Sequence, residues 1–418
     1  MREMKDSGME WIGEIPVDWE LSKIGSVYDE RNEKVSDKDF APLSVTKQGI
    51  VPQLETAAKT DNGDNRKLIR KNDFVINSRS DRRGSCGISE YEGSCSLINI
   101  VLKPQINVCN RYYGFVFKSD SFADEYYRWG HGIVDDLWST KWTDMKSIYI
   151  PVPDIVEQEK IADYLDTKCS KIDEIIEKQQ AIIEKLKEYK LSVIIETVTK
   201  GLNPNVEMKD SGVEWIGQMP TSWDCTTVGM IATVVRGASP RPAGDPLYFN
   251  GNDVPWITVA EVTKGDGKYV DGTETFLTFE GAKQSRIVEE GTLLLSNSGA
   301  TLGVPKITRI RGCINDGSVA FYNLSINQEF LLYLFKGRTF ELRKQMQGYG
   351  QPNLNTTIVK GIEVPLPTEL EQKTIVDFLD QKCTAIEKTI EDREKAIEKL
   401  REYKKSLIYE VVTGKKEV

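Results

Sequence analysis

The chain has 418 residues, 39% hydrophobic and 28% charged, with a formal net charge of −9; that balance excludes a largely disordered protein. No apolar run approaches the roughly 18 residues that cross a bilayer. The N-terminal MREMKDSGMEW is charged where a signal peptide would be apolar, and seven scattered cysteines without a C-x-x-C pair read as free thiols of a reducing cytoplasm.

His131 is the only histidine, so zinc hydrolases, Ser-His-Asp hydrolases and His-based phosphotransfer lack their residues. A pI of about 5.1, taken alone, argues against nucleic-acid binding.

Residues 1–19 hold a compact motif, MKDSGMEWIGEIPVDW at 4–19. Residues 20–150 form a block of short β-rich runs, such as 73–77 and 95–102, broken by Gly, Asn, Asp and Pro; a helical stretch follows at 111–128. Residues 151–200 begin PVPDIVEQEKIADYLDTKC, and from Glu157 to Val198 contain no Gly or Pro. That composition predicts a single helix of some 40 residues, about 60 Å long.

Apolar residues spaced by three and four (Ile161, Leu165, Ile172, Ile175, Ile182, Leu186, Tyr189 and Val193) give it a seam of coiled-coil type. Gly201-Leu-Asn-Pro204 is a stop signal. Within 201–223 the first motif returns as MKDSGVEWIGQMPTSW at 208–223, identical at 11 of 16 positions. Residues 224–364 form a second block, with β-rich runs at 256–259 and 291–296 and a helical stretch at 328–347. Residues 365–418 repeat the long helix at an offset of 214, from PLPTELEQKTIVDFLDQKC to AIEKLREYK, with Ile375, Leu379, Ile386 and Leu400 on its stripe.

The chain is therefore two copies of one unit. The predicted fold class is α+β: two globular α/β domains joined by two long antiparallel coiled-coil helices, in a pseudo-two-fold internal repeat. A lone amphipathic rod needs its stripe covered, and the other copy is the nearest cover. Lys168 with Lys382, and Gln179 with Arg393, are the polar seam positions that would set register.

The motifs and helices agree closely between copies, whereas the blocks show no obvious similarity. Drift of loops after duplication is the bland account of that contrast; one partner for the frame and different targets for the blocks is the functional one. Charge is divided the same way. Residues 20–150 carry 19 basic and 19 acidic side chains and 224–364 carry 14 of each, so the frame supplies the negative charge. Within the blocks, basic residues cluster with Ser, Asn and Gly at 65–71, 78–85, 236–241 and 306–311, the types that contact phosphates and base edges.

The chain resembles the specificity subunit of a type I restriction-modification system. The resemblance is carried by M-K-D-S-G-x-E-W-I-G-x-x-P-x-x-W in both copies, by P-x-P-x-x-x-E-Q-x-x-I-x-x-x-L-D at 151–166 and 365–380, and by I-E-K-L-[KR]-E-Y-K late in each helix. Trp256 in Asp-Val-Pro-Trp-Ile-Thr and the segment Ser296-Asn-Ser-Gly-Ala-Thr301 are similar to target-recognition segments of that family. The resemblance implies that each block is a target recognition domain reading one half of a split sequence in double-stranded DNA.

It further implies that the helical rod sets the spacer and docks two modification subunits, which methylate adenine at N6, and that restriction subunits join the same core. Its seam and subunit-interface residues would be Ile161, Leu165, Ile172, Leu186, Ile375, Leu379, Ile386 and Leu400. S-adenosylmethionine, ATP and Mg are implied on the partner subunits and none in this chain. No methyltransferase tetrad, Gly-rich cofactor loop or G-x-x-x-x-G-K-[ST] is found, so the chain itself reads as non-catalytic.

The candidate DNA contacts are Arg79, Arg82 and Arg83 in the first block, and Arg236, Ser239, Arg241, Asn297 and Ser298 in the second. No residue is assigned to catalysis or to a metal. His131 reads as a loop histidine. Trp11, Trp19, Trp215 and Trp223 read as packing residues that pin each motif to a domain edge, and Cys169 and Cys383 as small core residues. The rival reading is a two-headed coiled-coil scaffold whose heads bind proteins and ignore DNA.

Overall fold

A computed structural model describes residues 2–53, 63–132, 138–299, 301–345 and 354–418. The chain forms two compact units, Met1–Gln180 with Glu394–Val418, and Ala181–Arg393. The long helices span Ile155–Lys200 and Glu369–Val412. The first begins in the first unit and ends in the second, and the second runs in the opposite order, so each unit holds a piece of both.

Each long helix starts where a Pro-x-Pro segment ends. The Asp154 side chain accepts from the Glu157 N–H at 2.9 Å. In the other copy Thr368 and Glu371 form a reciprocal cap, the Thr368 N–H donating to the Glu371 carboxylate at 2.9 Å. Each helix stops at a glycine in the left-handed region, Gly201 at φ 73° and Gly414 at φ 72°. A side chain at Gly201 would press on the Trp223 ring, and one at Gly414 on Pro16 and Trp19.

The two blocks, unlike in sequence, share a core sheet. In the first unit the antiparallel strands run in the order Tyr28–Glu30, Asn99–Pro104, Phe74–Asn77, Cys86–Ile88. In the second the order is Thr233–Arg236, Ser318–Tyr322, Leu293–Ser296, Pro305–Thr308, with Tyr269–Val270 added in parallel at the far edge. The strands that bracket each block also pair, Glu20–Lys23 with Tyr149–Val152 and Asp224–Thr227 with Glu363–Leu366.

Local differences from the sequence reading have simple causes. The run at 95–102 is two strands, Gly93–Cys95 and Asn99–Pro104. The helical stretch 111–128 is two helices, Asn110–Lys118 and Asp120–Arg128, because Ser119 leaves helical geometry and caps the second through the Phe122 N–H. The stretch at 328–347 is helical over Gln328–Gln345, and residues 346 and 347 lie outside the described residues.

The long helices do two jobs along their length. In the second unit Ile194, Val198, Ile375, Val376, Leu379 and Cys383 are buried in one cluster with the domain core, around Trp223, Phe330 and Phe335. Ile161, Leu165 and Cys169, at the matching positions of the first copy, are also buried. Farther along, Ile172, Ile176, Ile183, Ile386 and Ile397 are buried, and Leu186 and Leu400 are half-buried.

Ile175 and Tyr189, placed on the seam by a strict 3.5-residue period, are 44% and 48% exposed. A helix with 3.6 residues per turn drifts off that period, and the buried stripe shifts to Ile176 and Ile183. Register is held elsewhere as well. In the first unit Lys404 reaches Asp173 at 2.7 Å, and in the second Lys190 reaches Glu387 at 2.6 Å. The two pairs occupy equivalent positions of the repeat. Lys168 instead lies over the Tyr164 ring of its own helix, and Lys382 over Tyr189.

Candidate nucleic-acid interface

The repeated motifs are structural clamps. Trp19 and Trp223 are buried, each at 1% exposure. Their indole N–H groups donate to Glu157 at 2.8 Å and to Glu371 at 3.0 Å, the Glu of each Glu-Gln pair. Burial pushes the Glu371 carboxyl up, but the hydrogen bonds from Thr368 and Trp223 outweigh it and hold the group below the usual carboxylate range.

The Gln of the pair is buried and bridges two backbones. Gln158 accepts from the Cys109 N–H at 2.9 Å and donates to the Pro153 carbonyl at 2.8 Å; Gln372 accepts from the Asn327 N–H at 2.7 Å and donates to the Pro367 carbonyl at 2.9 Å. Cys109 and Asn327 open the first helix that follows the core sheet in each unit. The sequence displayed the Glu-Gln repeat without revealing this role, because the partners are main-chain atoms of the dissimilar blocks.

One loop recurs at the same place of the core sheet in both units. It follows the central strand, at 78–85 after Phe74–Asn77 and, among the described residues, at 297–299 and 301–304 after Leu293–Ser296. The Ser78 carbonyl accepts from the Thr140 N–H at 3.0 Å, and the Asn297 carbonyl from the Leu354 N–H at 2.7 Å, so even the supporting contact is shared. Arg79, Arg82 and Arg83 lie on the first loop, and Asn297 and Ser298 on the second: candidates chosen from unrelated sequences fall on equivalent loops.

In the first unit all three arginines are exposed. The loop turns through a short 3-10 segment, Ser80–Arg82, and the Asn77 side chain accepts from the Arg79 N–H at 3.0 Å. Arg82 is 3.3 Å from Asp81; Arg83 pairs with Asp124 and lies over the Tyr127 ring.

In the second unit the five candidates gather around the turn Asn315–Ser318. Arg236 Nε donates to the Asp316 carbonyl at 2.8 Å, Ser239 Oγ donates to Asp316 Oδ1 at 2.6 Å, and Arg241 lies 3.8 Å from Asp316 Oδ2. The Asn297 N–H donates to the Gly317 carbonyl at 2.9 Å. A side chain at Gly317 would come within 3.1 Å of Ser298 Oγ. The Asn297 side chain is fully buried, and neither amide atom has a partner. The turn itself was missed, although Asn-Asp-Gly-Ser between two β-rich runs is a turn signal.

Other basic clusters are structural in part. Arg66 and Lys67 are buried, Arg66 on Ser94 and Lys67 on Glu30 and the Asn99 carbonyl. Lys306 is buried and donates to the Lys264 carbonyl. Arg309 stacks on Tyr269, its guanidinium 3.7 Å from the ring centre.

His131 is exposed in a loop, 3.6 Å from Asp144. Trp11 is buried against Phe122, and Trp215 donates to the Glu363 carbonyl. All seven cysteines are free, and Cys169 and Cys383 are buried. Among the described residues no group of three or more His, Cys, Asp or Glu could hold a metal ion, and no helix is long and apolar enough to cross a membrane.

A family model described as the type I restriction modification DNA specificity domain matches residues 16–188 and again 220–398. The chain is 31% identical over 172 residues to the type I restriction enzyme MjaIX specificity subunit of Methanocaldococcus jannaschii, a match covering 39% of this chain and 38% of that protein. It is 25% identical over 425 residues to the MjaVIII specificity subunit of the same organism, covering 96% and 93%.

A solved chain from work on complex assembly and conformational transition of the type I R-M system has a similar fold. Its TM-score is 0.75 at 16% identity, over 95% of this chain and 98% of that one. The HsdS subunit from Thermoanaerobacter tengcongensis gives a TM-score of 0.53 at 18% identity, over 96% and 98%.

Proposed function

The chain belongs to the type I restriction-modification DNA specificity-domain family, and we propose from this that each of its two recognition domains reads one half of a split DNA target. The observation that carries the reading is the loop after the central strand. Two copies of one frame and one core sheet present it in the same place with different residues, Arg79, Arg82 and Arg83 in one domain and Ser298 in the other, joined there by Arg236, Ser239 and Arg241; the fully buried Asn297 side chain supports the loop from inside.

The chain acts as a non-catalytic cytoplasmic subunit. Its long helices set the spacer between half-sites and dock two modification subunits, which hold S-adenosylmethionine and methylate adenine at N6. Restriction subunits using ATP and Mg complete the complex. Ile161, Leu165, Ile172, Leu186, Ile375, Leu379, Ile386 and Leu400 serve as the frame of that rod.

The test is a map of adenine methylation in cells carrying this gene and its neighbours. A two-part motif with a fixed gap, lost when the gene is deleted, is the expected result. Methylation that persists unchanged without the gene would overturn the reading.

A further inference from the structure

The cationic end of the second recognition domain is already occupied by an acid of its own chain. Around Asp316 converge one hydroxyl and two guanidinium groups: Ser239 and Arg241 on its carboxylate, Arg236 on its carbonyl. That donor set also suits a phosphodiester oxygen. The Arg241 side chain is 70% exposed and that of Asp316 42%, so a ligand in solvent reaches both. The approach is close: a side chain at Gly237 would come within 2.1 Å of the Asn315 carbonyl.

Behind the same turn, Asn315 Oδ1, Ser318 Oγ and both amide atoms of Asn297 are buried without a partner. Buried polar groups are nearly always paired. Among the described residues, the side-chain contacts that tie the turn lie on its outer side, at Arg236, Ser239 and Arg241. An exposed ion pair contributes little in water, whereas an arginine on a DNA phosphate also releases counterions. The outer contacts are therefore ones that DNA can replace.

We propose that the Asp316 carboxylate stands, in the free chain, where a DNA backbone phosphate sits in the bound one. It is an internal competitor for Arg241 and Ser239, and keeps the free domain from holding arbitrary DNA. This rests on the DNA-reading function above. In the first domain Arg83 and Asp124 are paired in the same manner.

The test compares the full chain, alone and with its modification subunits, with Asp316→Asn and Arg241→Gln variants on non-specific duplex DNA. Fluorescence anisotropy between about 50 and 200 mM salt would give the affinities. One unit of negative charge about 4 Å from a phosphate in water is a roughly fivefold effect. Asp316→Asn should therefore bind about fivefold tighter at low salt, and Arg241→Gln should bind more weakly with a salt slope shallower by about 0.9.

The half-site sequence in the methylation map should not change with Asp316→Asn, since phosphate contacts carry no sequence information. Weaker or unchanged binding by a folded Asp316→Asn variant overturns the proposal, as does an Arg241→Gln variant with an unaltered salt slope. An altered half-site would make Asp316 a reader of bases and overturn it as well. Absence of DNA binding by the unaltered chain, alone and in the complex, would instead sink the function on which the proposal rests.

Discussion

Replacing Gln372 by Leu removes a bridge whose two ends are known. The Asn327 N–H and the Pro367 carbonyl would both lose their partner, and the side chain between them is only 4% exposed. An orphaned buried polar group costs about 1–3 kcal/mol, so the pair should cost about 2–6 kcal/mol, less about 1 kcal/mol regained by burying leucine. Against a typical stability of about 5–15 kcal/mol this is a large loss.

Gln372→Glu separates the two hydrogen bonds. A carboxylate still accepts from Asn327 but cannot donate to Pro367, whereas the protonated acid does both. The folded state would then favour the protonated form and raise that carboxyl above its unfolded value near 4.3. Stability relative to the parent would be retained below about pH 4.3 and lost as pH rises through the folded value.

The assay is urea unfolding followed by tryptophan fluorescence, with buried Trp223 as reporter, at several pH values. A Gln372→Leu variant within about 0.5 kcal/mol of the parent, or a Gln372→Glu variant whose deficit does not grow with pH, would refute the bridging role.

Further outcomes follow from the same structure. Burial, with Lys190 nearby, pushes the Lys336 ammonium down to about 8; the unfolded chain then binds more protons above that pH, so stability should rise from about pH 8 towards 10. Lys336→Met should abolish that rise in a pH series of urea midpoints. A double-mutant cycle on Lys190 and Glu387 should give a coupling of about 1 kcal/mol that weakens with salt. Exchanging residues 20–150 for another such block should change one half-site in the methylation map and leave the other. Inserting four residues near Glu188 lengthens that helix by about 6 Å and should lengthen the preferred spacer by about one or two base pairs; an unchanged spacer with full activity would show that the helix is not the ruler.

The sequence by itself determined the frame. The repeats at 4–19 and 208–223, the Gly- and Pro-free helices and the Gly201 signal that stops the first are local signals, and local signals survive without a fold. The apolar period also placed Leu165, Ile172, Leu379 and Ile386 inside. It failed at Ile175 and Tyr189, where a 3.5-residue pattern runs out of step with a 3.6-residue helix.

Only the tertiary structure decided the rest. The likeness of the two blocks lies in strand order, which is fixed by main-chain pairing and leaves little mark on side chains. The role of Gln158 and Gln372 depends on a backbone N–H 45 or more positions away, bridged to a carbonyl only five away. Arg236, Ser239, Arg241 and Asn297 could be chosen for their chemistry. That they meet at the turn that holds Asp316 follows from two strands, Thr233–Arg236 and Leu293–Ser296, pairing on either side of Ser318–Tyr322, a contact between distant segments that no local pattern encodes.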